Sequence, residues 1–145
     1  MKLFIDSPNL LQTIREEAEK NSATAQELVA GLRDDQMSWI VSPDTWSISQ
    51  CLDHLTVSTK GFDSYWNKAI EQGRQKWPVT SVVQYKPTWM GGLLIRYLLP
   101  ESTRKLSAPK AFQPSESPLS PDALPKYLAQ QNEFLRVVEG AVGID

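Results

Sequence analysis

The chain's single histidine, His54, lies in WSISQCLDHL (residues 46–55), three positions after its single cysteine, Cys51. On a helix that spacing places both side chains on one side. An imidazole and a thiol so arranged are the raw material of a metal site or of nucleophilic chemistry. A catalytic zinc-type site takes three protein ligands and keeps one position open, and the sequence pattern supplies no third strong ligand. Asp53 and Asp63 project away from the apolar stripe and read as solvated carboxylates. Glycine-rich phosphate loops, serine nucleophile elbows and H-E-x-x-H metalloprotease helices are all missing from the sequence.

At 100° per residue, His54 falls roughly 60° beyond the stripe edge that runs from Cys51 to Leu52, beside Ser58 and Tyr65. That flank suits a residue lining a cleft, and it equally suits a partly buried histidine held by one hydrogen bond. Cys51, on the apolar side, reads as a small core hydrophobe. Two more polar residues interrupt apolar stripes, Asn21 on the first helix and Gln131 on the third. If helix one runs antiparallel to helix two and helix three runs parallel to it, a rise of about 1.5 Å per residue brings both near the height of His54. One reading is a shared polar pocket lined by Asn21, Tyr65 and Gln131 around His54. The other is two isolated core amides, each satisfied locally.

The elements that must position these residues are helices. Ser7 followed by Pro8 is an N-cap with proline at the first helical position. Leu10, Leu11, Ile14, Ala18, Ala25, Leu28, Val29 and Leu32 then share one arc of about 100°, so a long amphipathic helix is expected over about 8–32. Residues 33–45 break the period and contain Pro43, a connection with room for one short helical turn. Ser47 and Gln50 have capping-box spacing and open a second helix, about 47–72, with Ile48, Cys51, Leu52, Leu55, Phe62, Trp66, Ala69 and Ile70 as its stripe and Gly73 as its stop. Eight of the ten prolines fall between Gly73 and Pro125, which makes residues 73–121 a long proline-rich crossover. Within it, residues 88–99 read as a short apolar helix, 81–85 as extended and 110–121 as loop. Asp122 or Ser120 caps a third helix, about 122–142, with Leu124, Tyr127, Leu128, Leu135, Val138 and Val142 inward, and Gly140 and Gly143 end it. A crossover of that length fits parallel second and third helices.

The 145 residues suit one all-α domain with a core that needs no disulfide, and a lone cysteine allows none within the chain. A net charge of −2 and a pI near 5.4 give no reason to expect nucleic acid. The charge is uneven. Residues 73–115 carry seven bases (Arg74, Lys76, Lys86, Arg96, Arg104, Lys105, Lys110) against Glu101 alone, between acidic flanks with 11 acids to 6 bases before and 5 to 2 after. A basic crossover lying on acidic helices accounts for this. The start, MKLFIDSPNLLQ, lacks the apolar run of a signal peptide, and no stretch reaches membrane-spanning length, so a soluble, cytoplasmic protein with no membrane or nucleic-acid partner is expected.

The stretch DDQMSWIVSPDTWSISQCLDHL (34–55) resembles the DinB-like superfamily of helical bundles. Its members show W-S-x-x-(E/Q)-x-x-x-H-L at a helix start, here Trp46, Ser47, Gln50, His54 and Leu55, after a loop rich in proline and aspartate. WMGGLLIRYLLPES, then APKAFQP at 108–114, then a helix ending in EGAVGID, look like one branch of that family. The resemblance covers nearly the whole chain. It implies an up-down-down-up four-helix bundle and a divalent metal, zinc or nickel, held by three histidines. His54 would be the first; the other two ordinarily lie four residues apart on a fourth helix, and the 145 residues hold no such pair, so the sequence reads as C-terminally incomplete or as a member without the site. The implied activity is metal-dependent thiol S-transfer or hydrolysis on small electrophilic substrates; the alternative is a non-catalytic bundle that binds a small ligand or itself. Three helices without a fourth leave an apolar groove in water, which self-association as a homo-oligomer would cover, with Trp89–Leu99 folding inward as the alternative.

Overall fold

The computed structural model describes residues 7–76, 87–99, 107–114, 117–118 and 121–144. Its elements, in order, are α1 (Ser7–Val29), α2 (Asp34–Met37), α3 (Ile48–Lys60), α4 (Asp63–Lys76), α5 (Trp89–Leu98), a 3₁₀ turn (Lys110–Phe112) and α6 (Ala123–Gly140). The fold is all-helical, as the sequence pattern requires. The extended reading of residues 81–85 lies outside the described residues.

Helix α6 is the centre of the bundle and packs against α1, α3 and α4. Leu52 of α3 meets Ala123 and Tyr127 of α6 in the core, with Ala25 and Val29 of α1, Met37 of α2, and Leu124 and Leu128 packed around them. Farther along, Gln130 bonds Asp63, Trp66 meets Phe134, and Arg74 donates to the Gly140 carbonyl at 2.9 Å. These pairs advance together along both helices, so α6 runs in the same direction as α3–α4. Arg15 near the start of α1 reaches Glu139 near the end of α6, while Val29 sits by the start of α6, so α1 runs the opposite way. Burial of the Tyr127 side chain pushes its phenol above the ordinary value.

Three boundaries depart from the sequence reading. Helix α1 stops at Val29, short of Leu32, because Gly31 adopts a left-handed conformation (φ 75°) that only glycine takes without strain. The helix expected over 47–72 is two helices. Phe62 N–H bonds the Thr59 carbonyl, three residues back, and the Phe62 carbonyl then accepts from Trp66 to start α4. The kink falls at Gly61, against which the Phe112 ring packs so closely that a Cβ there would lie 2.6 Å from a ring carbon. Gly73 is not a stop: α4 continues to Lys76, and Gly73 is buried where Ile144 closes over it.

Other local signals hold in part; Ser7, read as the N-cap of the first helix, is already helical. Ser47 is the N-cap of α3: its Oγ accepts from Gln50 N–H at 3.1 Å, and Gln50 Oε1 accepts from Ser47 N–H at 3.0 Å. The 33–45 connection contains the short α2, and Trp89–Leu98 is helical, capped by Thr88 Oγ1, which accepts from Gly91 N–H. Asp122 occupies the N-cap position of α6, but its side chain makes no capping bond and pairs instead with Lys126 at 2.9 Å.

Much apolar surface stays in water. Ile48 and Leu55 on α3 and Phe62 at the kink are exposed, as are Trp39, Ile40 and Val41 in the connection and Trp89, Met90, Leu94 and Leu98 of α5. The predicted second stripe is therefore only partly covered, with Leu52 as its one buried member among the described residues.

Candidate functional site around His54

The site is assembled from the start of α3 outward. The capping box fixes the first turn of α3, and the fully buried Ser47 hydroxyl also donates to the Pro118 carbonyl at 2.5 Å, tying the crossover to the helix start. Two turns on, His54 is half-buried. Its Nδ1 lies 2.5 Å from the Phe112 carbonyl oxygen and 3.3 Å from Ser58 Oγ. Trp46, just before the cap, lays its indole against the imidazole, with centroids 4.8 Å apart and planes at 44°.

A carbonyl oxygen can only accept, so Nδ1 carries the ring proton and donates it to Phe112. In the neutral ring Nε2 then keeps its lone pair, the form in which an imidazole binds a metal or takes a proton. Phe112 is itself held. Its ring stacks on Phe62 at 5.5 Å, Phe62 stacks on Trp66 at 5.7 Å, and Trp66 meets Phe134 of α6 at 5.2 Å. An aromatic chain thus anchors the 3₁₀ turn to the bundle core.

Of the residues proposed to surround His54, Asn21 and Tyr65 are exposed and Gln131 is half-buried. The buried glutamine of α6 is the preceding one, Gln130, which is 8% exposed and donates through Nε2 to both oxygens of Asp63 at 3.0 Å, away from His54's own partners. Asp63, read as solvated, is half-buried and ties the first turn of α4 to α6. Ser58 does lie beside His54, as the helical angle required. Cys51 is not a core residue: it is exposed, while partial desolvation by its neighbours pushes its thiol above the ordinary value. Trp46 and Phe112 were the residues the spacing argument missed. Trp46 precedes the helix, and Phe112 lies 58 positions from His54 on an element with no periodicity.

For a divalent metal, the described residues contain no group of three His, Cys, Asp or Glu able to hold the ion. His54 Nε2 is one suitable donor where a catalytic site takes three. The described residues therefore do not fit a complete zinc or nickel centre. Elsewhere, an apolar groove of about 240 Å³ opens between α1, α4 and the end of the chain, lined by Leu10, Leu11, Ala69, Ile70, Ala141 and Ile144. Among the described residues, no helix is long and apolar enough to cross a membrane.

The family model of the DinB superfamily matches residues 17–141, and the chain belongs to that superfamily. No curated protein and no solved structure matches it.

Proposed function

We propose that this protein serves the chemistry associated with its superfamily, thiol S-transfer or hydrolysis on a small electrophilic substrate, with His54 Nε2 as its working atom. The supporting observation is the Nδ1 contact with the Phe112 carbonyl, which leaves Nε2 as the nitrogen with a free lone pair. Among the described residues, no group of three His, Cys, Asp or Glu stands ready to hold the ion. A full ligand set would need donors in addition to these. Titration of the untagged protein with Zn²⁺ and Ni²⁺, followed by calorimetry and compared with His54→Ala, tests the reading. Binding that depends on His54 supports it; identical isotherms for the two proteins refute it.

The apolar groove favours a second reading, a non-catalytic bundle that binds a small apolar ligand. Thermal-shift screening separates the two. Ligands whose stabilisation survives His54→Ala but is lost in Ala69→Glu belong to the groove.

A further inference from the structure

We propose that the Lys110–Phe112 turn is a positioning element that holds the His54 imidazole in one tautomer, and that Gly61 is the residue that lets it reach the ring. This deepens the reading of His54 given above, but the device is a property of the chain itself and can be observed without any metal or substrate.

A free imidazole in water exchanges between two tautomers, and a reacting nitrogen must be the unprotonated one. A backbone carbonyl is a fixed acceptor that cannot be protonated at ordinary pH, so a carbonyl 2.5 Å from Nδ1 selects the Nδ1–H form. The selection works only if the turn comes this close to α3. Phe112 is the residue that sets that distance, because its ring lies against the kink while its own carbonyl faces His54. Any side chain at position 61 would occupy the ring's place: a Cβ there would lie 2.6 Å from one ring carbon and 3.4 Å from the next. Phe62 stacks on the same ring, so the ring has little room to give. Gly61 has an ordinary helical φ of −60°, so backbone strain does not call for glycine there. The close approach does. Trp46 packs against the imidazole as well and restricts its rotation.

The chain has one histidine, so a long-range ¹H–¹⁵N correlation spectrum of the imidazole contains a single residue. Recorded metal-free at alkaline pH, where the ring holds one proton, the wild type should show a protonated, pyrrole-type Nδ1 and a pyridine-type Nε2. Gly61→Ala should move both nitrogens toward the averaged shifts of a free imidazole while the far-ultraviolet circular dichroism stays helical. Gly61→Ala with Phe112→Leu, which makes room for the methyl group, should recover the wild-type pattern. A pyridine-type Nδ1 in the wild type overturns the proposal. So does an unchanged pattern in folded Gly61→Ala. Should Gly61→Ala fail to fold, Phe112→Gly alone, which keeps the carbonyl and removes the ring anchor, must give averaged shifts or the proposal fails. A wild type that shows the fixed tautomer yet binds no metal and turns over no substrate leaves the positioning intact and removes only the functional reading.

Discussion

Removing the Gln130 amide should loosen the seam between α4 and α6. Gln130 is almost fully buried, and its Nε2 lies 3.0 Å from both carboxylate oxygens of Asp63. A hydrogen bond to a charged group contributes about 1.5–3 kcal/mol. Asp63 is half-buried, so water can rehydrate its carboxylate once the amide is gone, and its place in the first turn of α4 keeps the charge favourable there. Both effects bring the expected loss for Gln130→Met to about 1–2 kcal/mol, with side-chain volume nearly unchanged so that no cavity adds to it. At a typical urea slope of about 1–3 kcal/mol per molar, the unfolding midpoint should fall by roughly 0.3–2 M. The same substitution in an Asp63→Ala background should cost clearly less, since the acceptor is already absent. Equal losses in the two backgrounds, or a Gln130→Met protein as stable as wild type, would refute the contact as a source of stability.

Ser47→Ala removes a cap and the tie to the Pro118 carbonyl, and should cost about 1–2 kcal/mol in urea unfolding; a loss under about 0.5 kcal/mol would contradict the dual role of that hydroxyl. Ser49 is fully buried, and its Oγ has no hydrogen-bond partner among the described residues. Ser49→Ala should therefore leave stability unchanged or raise it by up to about 1 kcal/mol, and a clear loss would count against this. Desolvation raises the Cys51 thiol from its ordinary 9.0, so alkylation by iodoacetamide near neutral pH should be slower than for free cysteine, despite exposure of the residue. The sign for folding follows from linkage: the unfolded chain loses this proton first, so the contribution is complete below the unfolded value and is lost as pH rises through the folded one. Cys51→Ser should flatten that alkaline decline, and an unchanged pH profile would show that the thiol takes no part. Exposed Ile48, Leu55 and Phe62 should drive reversible self-association, seen as a sedimentation mass that rises with concentration and is lowered by Leu55→Glu; a constant monomer mass at high concentration would count against it.

Where a signal is local, the sequence alone determined the outcome. The capping box at Ser47 and Gln50 places the start of α3 to the residue, because both bonds close within one turn. Helical period gave the buried faces around Leu52, Tyr127 and Val138, and the W-S…H-L spacing marked His54 as the residue to watch. Tertiary structure decided what surrounds that histidine. The carbonyl that fixes its tautomer comes from Phe112, far along the chain, on a turn whose approach depends on packing against a missing side chain at Gly61. The same packing divides the second helix, and a one-position difference on α6 decides that Gln130, rather than Gln131, faces the seam. Periodicity reports the face of a single helix to within about one residue, or 100° of arc; which neighbour meets that face is set by the packing of all the helices together.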